Sequence, residues 1–180
     1  KYIQNSKNFL CLLFPGSRDS EINFILVEFI NLIKNSKKNN NDIQWIIPTT
    51  KLQYSKIVEK IFFNGLSKEV DVVILEDNYD IMKCADVAIA CSGTVTLELV
   101  LFNIPTIAVY KTHFLSALVG RVLVNFKNVI LPNFILNQNL VPFLFQEKCN
   151  YKNINKFLYE YLNDLKSKKE IFKISSNEIL

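Results

Sequence analysis

The apolar run Asp86-Val-Ala-Ile-Ala90 breaks into Cys91-Ser92-Gly93-Thr94, and Val95 to Phe102 then reads as helix. A strand that delivers a small Ser-Gly-Thr turn to a helix start can hold a phosphate, because the free amides of a helix N-terminus point into the crevice beyond it. Gly93 lacks a Cβ, so a ligand can approach the backbone, while Ser92 and Thr94 add hydroxyls. Glu98 lies one turn above Thr94 on the same helix face, where its carboxylate can accept two hydrogen bonds from a ribose diol. It falls beyond the position of a reciprocal capping box. The plainer reading makes Thr94 an ordinary N-cap, contributing about 1 kcal/mol, with Glu98 merely favoured near a positive helix end.

A second signal of the same kind lies upstream. Asn8 to Phe14 is a continuous apolar run that ends in Pro15-Gly16-Ser17-Arg18. Pro15 and Gly16 stop the strand in a tight turn. From Ser20 to Ile33 the apolar residues Ile22, Ile25, Leu26, Phe29, Ile30 and Ile33 fall on one helix face. Gly16, Ser17 and Arg18 thus sit at the carboxyl end of a strand and the front of a helix, where open α/β sheets bind ligands. Arg18 can offer a planar fork of donors to a phosphate, or it can be a loop arginine paired with Asp19 or Glu21.

The elements needed to position these residues alternate along the chain. Strands are expected at Ile43–Ile47, closed by Pro48, at Val70–Leu75, and at Thr106–Val109, in addition to the two above. A helix over Tyr54–Phe63 ends near Gly65, and Lys34 to Asn41 reads as a polar loop. Five strands separated by helices predict an α/β, Rossmann-like, doubly wound parallel sheet with right-handed crossovers. Residues 151–180 form a helical tail that opens with an amphipathic helix over Tyr151–Leu165, its stripe being Ile154, Phe157, Leu158, Tyr161, Leu162 and Leu165.

Composition fits one compact unit. The 180 residues are 49% hydrophobic, enough to bury a core without disulfides. Cys11, Cys84, Cys91 and Cys149 have no metal-ligand spacing and read as reduced, buried residues of a cytosolic protein. A net charge of +4, with lysines dispersed among asparagines, argues against a nucleic-acid partner. No signal peptide or membrane-spanning run is visible, and the opening at Lys1 suggests a piece of a longer protein. His113 is the only histidine and reads as incidental, and Asp77 and Asp80 read as a solvated turn rather than a metal pair. Phe114 to Phe126 is apolar almost all round; it is either a buried helix or a face that meets acyl chains or a membrane.

Four segments in order and spacing resemble lipid-A-disaccharide synthase: Leu13 to Ile22, Cys91 to Glu98, Pro105 to Lys111, and Leu131-Pro132-Asn133 with Val141-Pro142 and Gln146. The similarity covers nearly the whole chain and implies the C-terminal, nucleotide-sugar-binding half, residues 1–180, of a two-domain GT-B glycosyltransferase whose N-terminal acceptor domain is absent. It implies inverting transfer of 2,3-diacylglucosamine from its UDP conjugate to 2,3-diacylglucosamine 1-phosphate, with no cofactor and no metal ion. The implied donor-binding residues are Gly16, Ser17, Arg18, Ser92, Gly93, Thr94, Glu98, Asn133 and Gln146.

Asn133, in a turn after Pro132, is then expected to read diphosphate, sugar or uracil, or only to form the turn. Gln146, at the front of a short helix, is a ligand contact or a surface residue. Lys111 follows Tyr110 as a basic group of the site or as a charge closing a strand. Phe143 stands where the family usually carries an acid, which implies a looser site if that acid orients Asn133. The catalytic base is expected in the missing half, and the setting in the bacterial cytoplasm, peripheral on the inner membrane. Its partners are the two lipid substrates, the N-terminal domain and the membrane surface, with a homodimer compatible. Another UDP-sugar enzyme of the same architecture, such as a UDP-N-acetylglucosamine 2-epimerase or a peptidoglycan glycosyltransferase, or a noncatalytic nucleotide-binding module are the alternatives.

Overall fold

The computed structural model describes residues 9–38, 42–75, 79–112 and 129–180. In chain order these form β1 (Phe9–Phe14), α1 (Asp19–Lys38), β2 (Ile43–Thr49), α2 (Lys51–Phe63), β3 (Val70–Ile74), a 3₁₀ turn (Tyr79–Cys84) and β4 (Val87–Cys91). They continue with α3 (Thr94–Leu101), β5 (Thr106–Tyr110), α4 (Leu131–Leu136), β6 (Phe143–Phe145), a 3₁₀ turn (Gln146–Lys148), α5 (Tyr151–Asn163) and α6 (Leu165–Ile179).

The strands make one six-stranded sheet in the order β3-β2-β1-β4-β5-β6. Every pairing is parallel. Apolar residues on both sides of each strand account for this, since a parallel sheet must be covered twice. In β1, Cys11 and Leu13 join α1, α2 and α5 in one core, while Leu10, Leu12 and Phe14 face Met82 and Leu99 in another. The α/β, Rossmann-like fold expected from the alternation is therefore present, with helices on both faces.

Several local expectations change. β6 is a sixth strand, and its three residues are too few to show a period. Pro48 lies inside β2 rather than after it. The pairing with β1 runs only from Ile43 to Ile46, so the missing proline N–H falls where that ladder has already ended. α1 continues to Lys38, into the span read as a polar loop, because Leu32, Ile33 and Ser36 remain buried. The tail is two helices, and Leu165 opens the second; Ile154, Leu158 and Tyr161 of the expected stripe are buried. Asp80 pairs with Lys83 on the surface, as a solvated turn should. Asp77, His113 and the apolar segment Phe114 to Phe126 lie outside the described residues.

All four cysteines are free, but Cys84 is exposed, against the expectation that all are buried. Burial raises the Cys11 thiol well above its ordinary value, and desolvation pushes Cys149 up to about 12. Tyr161 is raised as well, first by burial and then by the charge of Glu160. Above the ordinary thiol value of 9.0 the unfolded chain loses these protons while the folded chain keeps them. Folding stability should therefore fall as pH rises from about 9 toward 12, by up to roughly 1.4 kcal/mol per pH unit for each thiol. Urea midpoints between pH 8 and 11 test this, and Cys149→Ala should flatten the slope.

Candidate functional site

The chain lays down β1, β2 and β3 outward in one direction and then restarts beside β1 with β4. Phe14 and Ala90 are partners at that junction, so the turns after them meet at the point where the strand order reverses. A crevice outside the carboxyl ends of the strands belongs at such a point. The structure brings Gly16–Arg18 and Ser92–Thr94 to it.

Helix α1 begins at Asp19, which makes Arg18 the N-cap and Glu21 the third helical residue. From there Glu21 reaches back as the acid of a capping box does. Its Oε2 accepts from the N–H groups of Ser17 and Arg18, each at 3.2 Å, and its Oε1 accepts from Arg18 Nη1 at 3.0 Å. Two amides that the sequence left available to a phosphate are thus already paired. The two partners differ in exposure: the Arg18 side chain is 76% exposed and that of Glu21 6%. Gln53 of α2 holds the same loop by donating to the Ser17 carbonyl at 3.3 Å. The pairing of Arg18 with Glu21 is the loop-arginine alternative read from the sequence; what that reading did not include is the hold of Glu21 on the Ser17 and Arg18 amides.

At the second turn the N-cap is Gly93, without any side-chain cap. Thr94 is therefore the first helical residue and not the cap. The N–H groups of Thr94 and Val95 meet no acceptor among the described residues, while Thr96 folds back to donate from Oγ1 to the Gly93 carbonyl at 2.7 Å. Gly93 has an ordinary extended backbone, and a Cβ built on it would meet nothing nearer than the Cys91 carbonyl oxygen at 4.0 Å. Gly93 and Thr94 are exposed and Glu98 is half-buried one turn further along α3. Ser92 is tied down instead: its N–H donates to the Val109 carbonyl at 2.8 Å and its hydroxyl to that of Val129 at 3.4 Å.

Asn133 and Gln146 are clamps rather than free amides. Asn133 stands in α4, not in a turn, and both ends of its amide meet the backbone of Val141, donating and accepting at 2.8 Å. Gln146 is buried, against the surface reading, and grips the backbone of Thr112 in the same two-ended way at 2.8 and 3.0 Å. Phe143 begins the edge strand β6, opposite Ala108, and Asn133 is oriented without any acid at that place. Lys111 closes β5 by donating to Glu28 at 2.6 Å, and the other Glu28 oxygen accepts from the N–H of Tyr151 at the head of α5. Glu28 is a residue the sequence did not single out.

The electrostatics follow from this layout. Burial raises the Cys91 and Tyr110 side chains above their ordinary values, the charge of Glu21 adds to both shifts, and Arg18 opposes them. Both members of the Arg18–Glu21 pair are therefore felt at the ends of β4 and β5. No group of three or more His, Cys, Asp or Glu is placed to hold a metal among the described residues. Gly16 has φ +102°, and a Cβ there would lie 2.5 Å from Glu21 Oε2. Gly16→Ala should cost about 1–3 kcal/mol of folding stability and loosen the Ser17 and Arg18 amides, read by urea unfolding and amide exchange.

Solved structures with this fold include the S. aureus MnaA–UDP co-structure, at a TM-score of 0.62 and 13% identity over 97% of this chain and 44% of that one. The C-terminal domain of a glycosyl transferase group 1 family protein from Francisella tularensis matches at a TM-score of 0.58 and 14% identity, over 95% of this chain and 84% of that one. Among sequences, the lipid-A-disaccharide synthase of Sulfurihydrogenibium sp. (strain YO3AOP1) is 33% identical over 90% of this chain and 44% of its own length. That of Wigglesworthia glossinidia brevipalpis is 30% identical over 96% and 45%. The chain thus spans less than half the length of these relatives. The family model described as lipid-A-disaccharide synthetase matches residues 1–179, and the chain belongs to that family.

Proposed function

We propose that this chain is the donor-binding half of a lipid-A-disaccharide synthase, and that the crevice between β1 and β4 holds the UDP of UDP-2,3-diacylglucosamine. The observation that carries the reading is the pairing of Phe14 with Ala90, which sets the turn bearing the largely exposed Arg18 beside the open start of α3 at the switch point. The amides of Thr94 and Val95, which meet no acceptor among the described residues, and the positive end of the helix suit a diphosphate, and Gly93 leaves room for it. The Arg18 fork adds a full charge on the other side. Glu98, one turn along α3, is the group assigned to the ribose diol.

Transfer to 2,3-diacylglucosamine 1-phosphate with inversion then needs the departing UDP stabilised, and preorganised donors at the crevice supply this without a metal ion. The base that takes the proton of the acceptor hydroxyl is assigned to the other half of the protein. A solved S. aureus structure of the same fold is a co-structure with UDP, which is in keeping with a nucleotide ligand for this fold. The reading sets the protein in the bacterial cytoplasm, against the inner membrane where diacylated substrates reside. No helix among the described residues is long and apolar enough to cross that membrane.

The chain should bind UDP in the presence of EDTA, with NMR shifts concentrated near Gly93 and Glu98; absence of shifts there counts against the assignment. Glu98→Ala should weaken UDP binding by about 1.5–3 kcal/mol in calorimetric titration. Radiolabelled transfer should need the full-length protein, because half a cleft cannot bring donor and acceptor together.

A further inference from the structure

We infer that Glu21 is a positioning residue of the donor site, which acts by holding the Arg18 guanidinium at the mouth of the crevice. The inference rests on the donor-site reading above and extends it to a residue that touches no ligand. Three features of the geometry carry it. Glu21 is 5% exposed, so its charge is removed from water and must be met by partners. Three of those partners belong to one short loop, two backbone amides at 3.2 Å and one guanidinium nitrogen at 3.0 Å, and the Cys91 thiol at the end of β4 is a further one. The loop is shaped for the carboxylate, since Gly16 is the residue whose Cβ would collide with it.

The consequence is a division of labour at the crevice. The Ser17 and Arg18 amides serve the carboxylate, so the β1 turn is not itself the phosphate cradle. A planar guanidinium engaged at one nitrogen has its remaining donors set in a fixed fork, whereas an unheld arginine on an exposed loop samples many rotamers. Glu21 thereby removes part of the ordering cost that UDP would otherwise meet on binding. It also lowers the net charge of the loop.

A double-mutant cycle on this chain tests the inference, with UDP affinity measured by calorimetry in EDTA for the parent, Glu21→Gln, Arg18→Ala and the double variant. Glu21→Gln keeps the shape and removes the charge. It should weaken UDP about tenfold in the parent and less than about twofold when Arg18 is already alanine. Should Glu21→Gln fail to fold, Glu21→Asp takes its place, keeping the charge but drawing it back from the loop, with the same pattern expected. Equal weakening in both backgrounds overturns the inference alone, because Glu21 then acts on the fold or on UDP without Arg18. No loss on Arg18→Ala also overturns it, while a parent that binds no UDP overturns the donor-site reading together with it.

Discussion

The parallel pairing of β1 with β4 is the constraint on which the rest of the molecule depends. These strands lie far apart in sequence, and everything between them is the excursion through β2 and β3 to one edge of the sheet. Because the chain returns to the middle of the sheet and then builds outward the other way, two turns and two helix starts converge on one crevice. No single segment could supply both an open helix N-terminus and an arginine on the neighbouring turn. The crossover geometry supplies them together.

Around that junction, side chains extend the work of the backbone ladders. Gln146 and Asn133 each imitate a strand residue, presenting one donor and one acceptor to a single peptide unit. Each clamp sits where regular pairing ends: Gln146 fixes Thr112 beyond the last β5–β6 pair, and Asn133 fixes Val141 just before β6 begins. Glu28 does the same across layers, joining α1, the end of β5 and the head of α5 through one carboxylate. Leaving any of these groups without its partner costs roughly 1–3 kcal/mol, so the clamps fix the ends of β5 and β6.

What could be read from the sequence depended on how local the determining physics was. Continuous apolar runs and helical stripes are local, and they gave the strands, the helices on both faces and the position of both turns. The carboxyl-end placement of Gly16–Arg18 and Ser92–Thr94 followed from the same reading. β6 was invisible because three residues carry no period, and its place in the sheet depends on Ala108, far upstream. The end of α1 was misplaced because burial of Ser36, not composition, decides it. Asn133 and Gln146 were expected to face a ligand because an amide's partner cannot be known from its own position. In both cases the partner is a backbone group 8 or 34 residues away.

Charge balance at the crevice explains why the turn after β1 and the turn after β4 are built so differently. At β4 the helix start has no acid in its first turn and no capping side chain, so its positive end is left for an external anion. At β1 the first turn of α1 holds both Asp19 and Glu21, and Glu21 consumes the amides. If both turns were open, two positive helix ends would face each other across a few residues with nothing between them when the site is empty. If both were capped by acids, no anion would be attracted. One capped and one open turn, with Arg18 as the strong positive side chain carried on the capped one, would give the proposed donor site stability when empty and still favour a diphosphate. The asymmetry between Glu21 under the first turn and Gly93 at the second is thus what the proposed donor site would need in order to bind an anion reversibly.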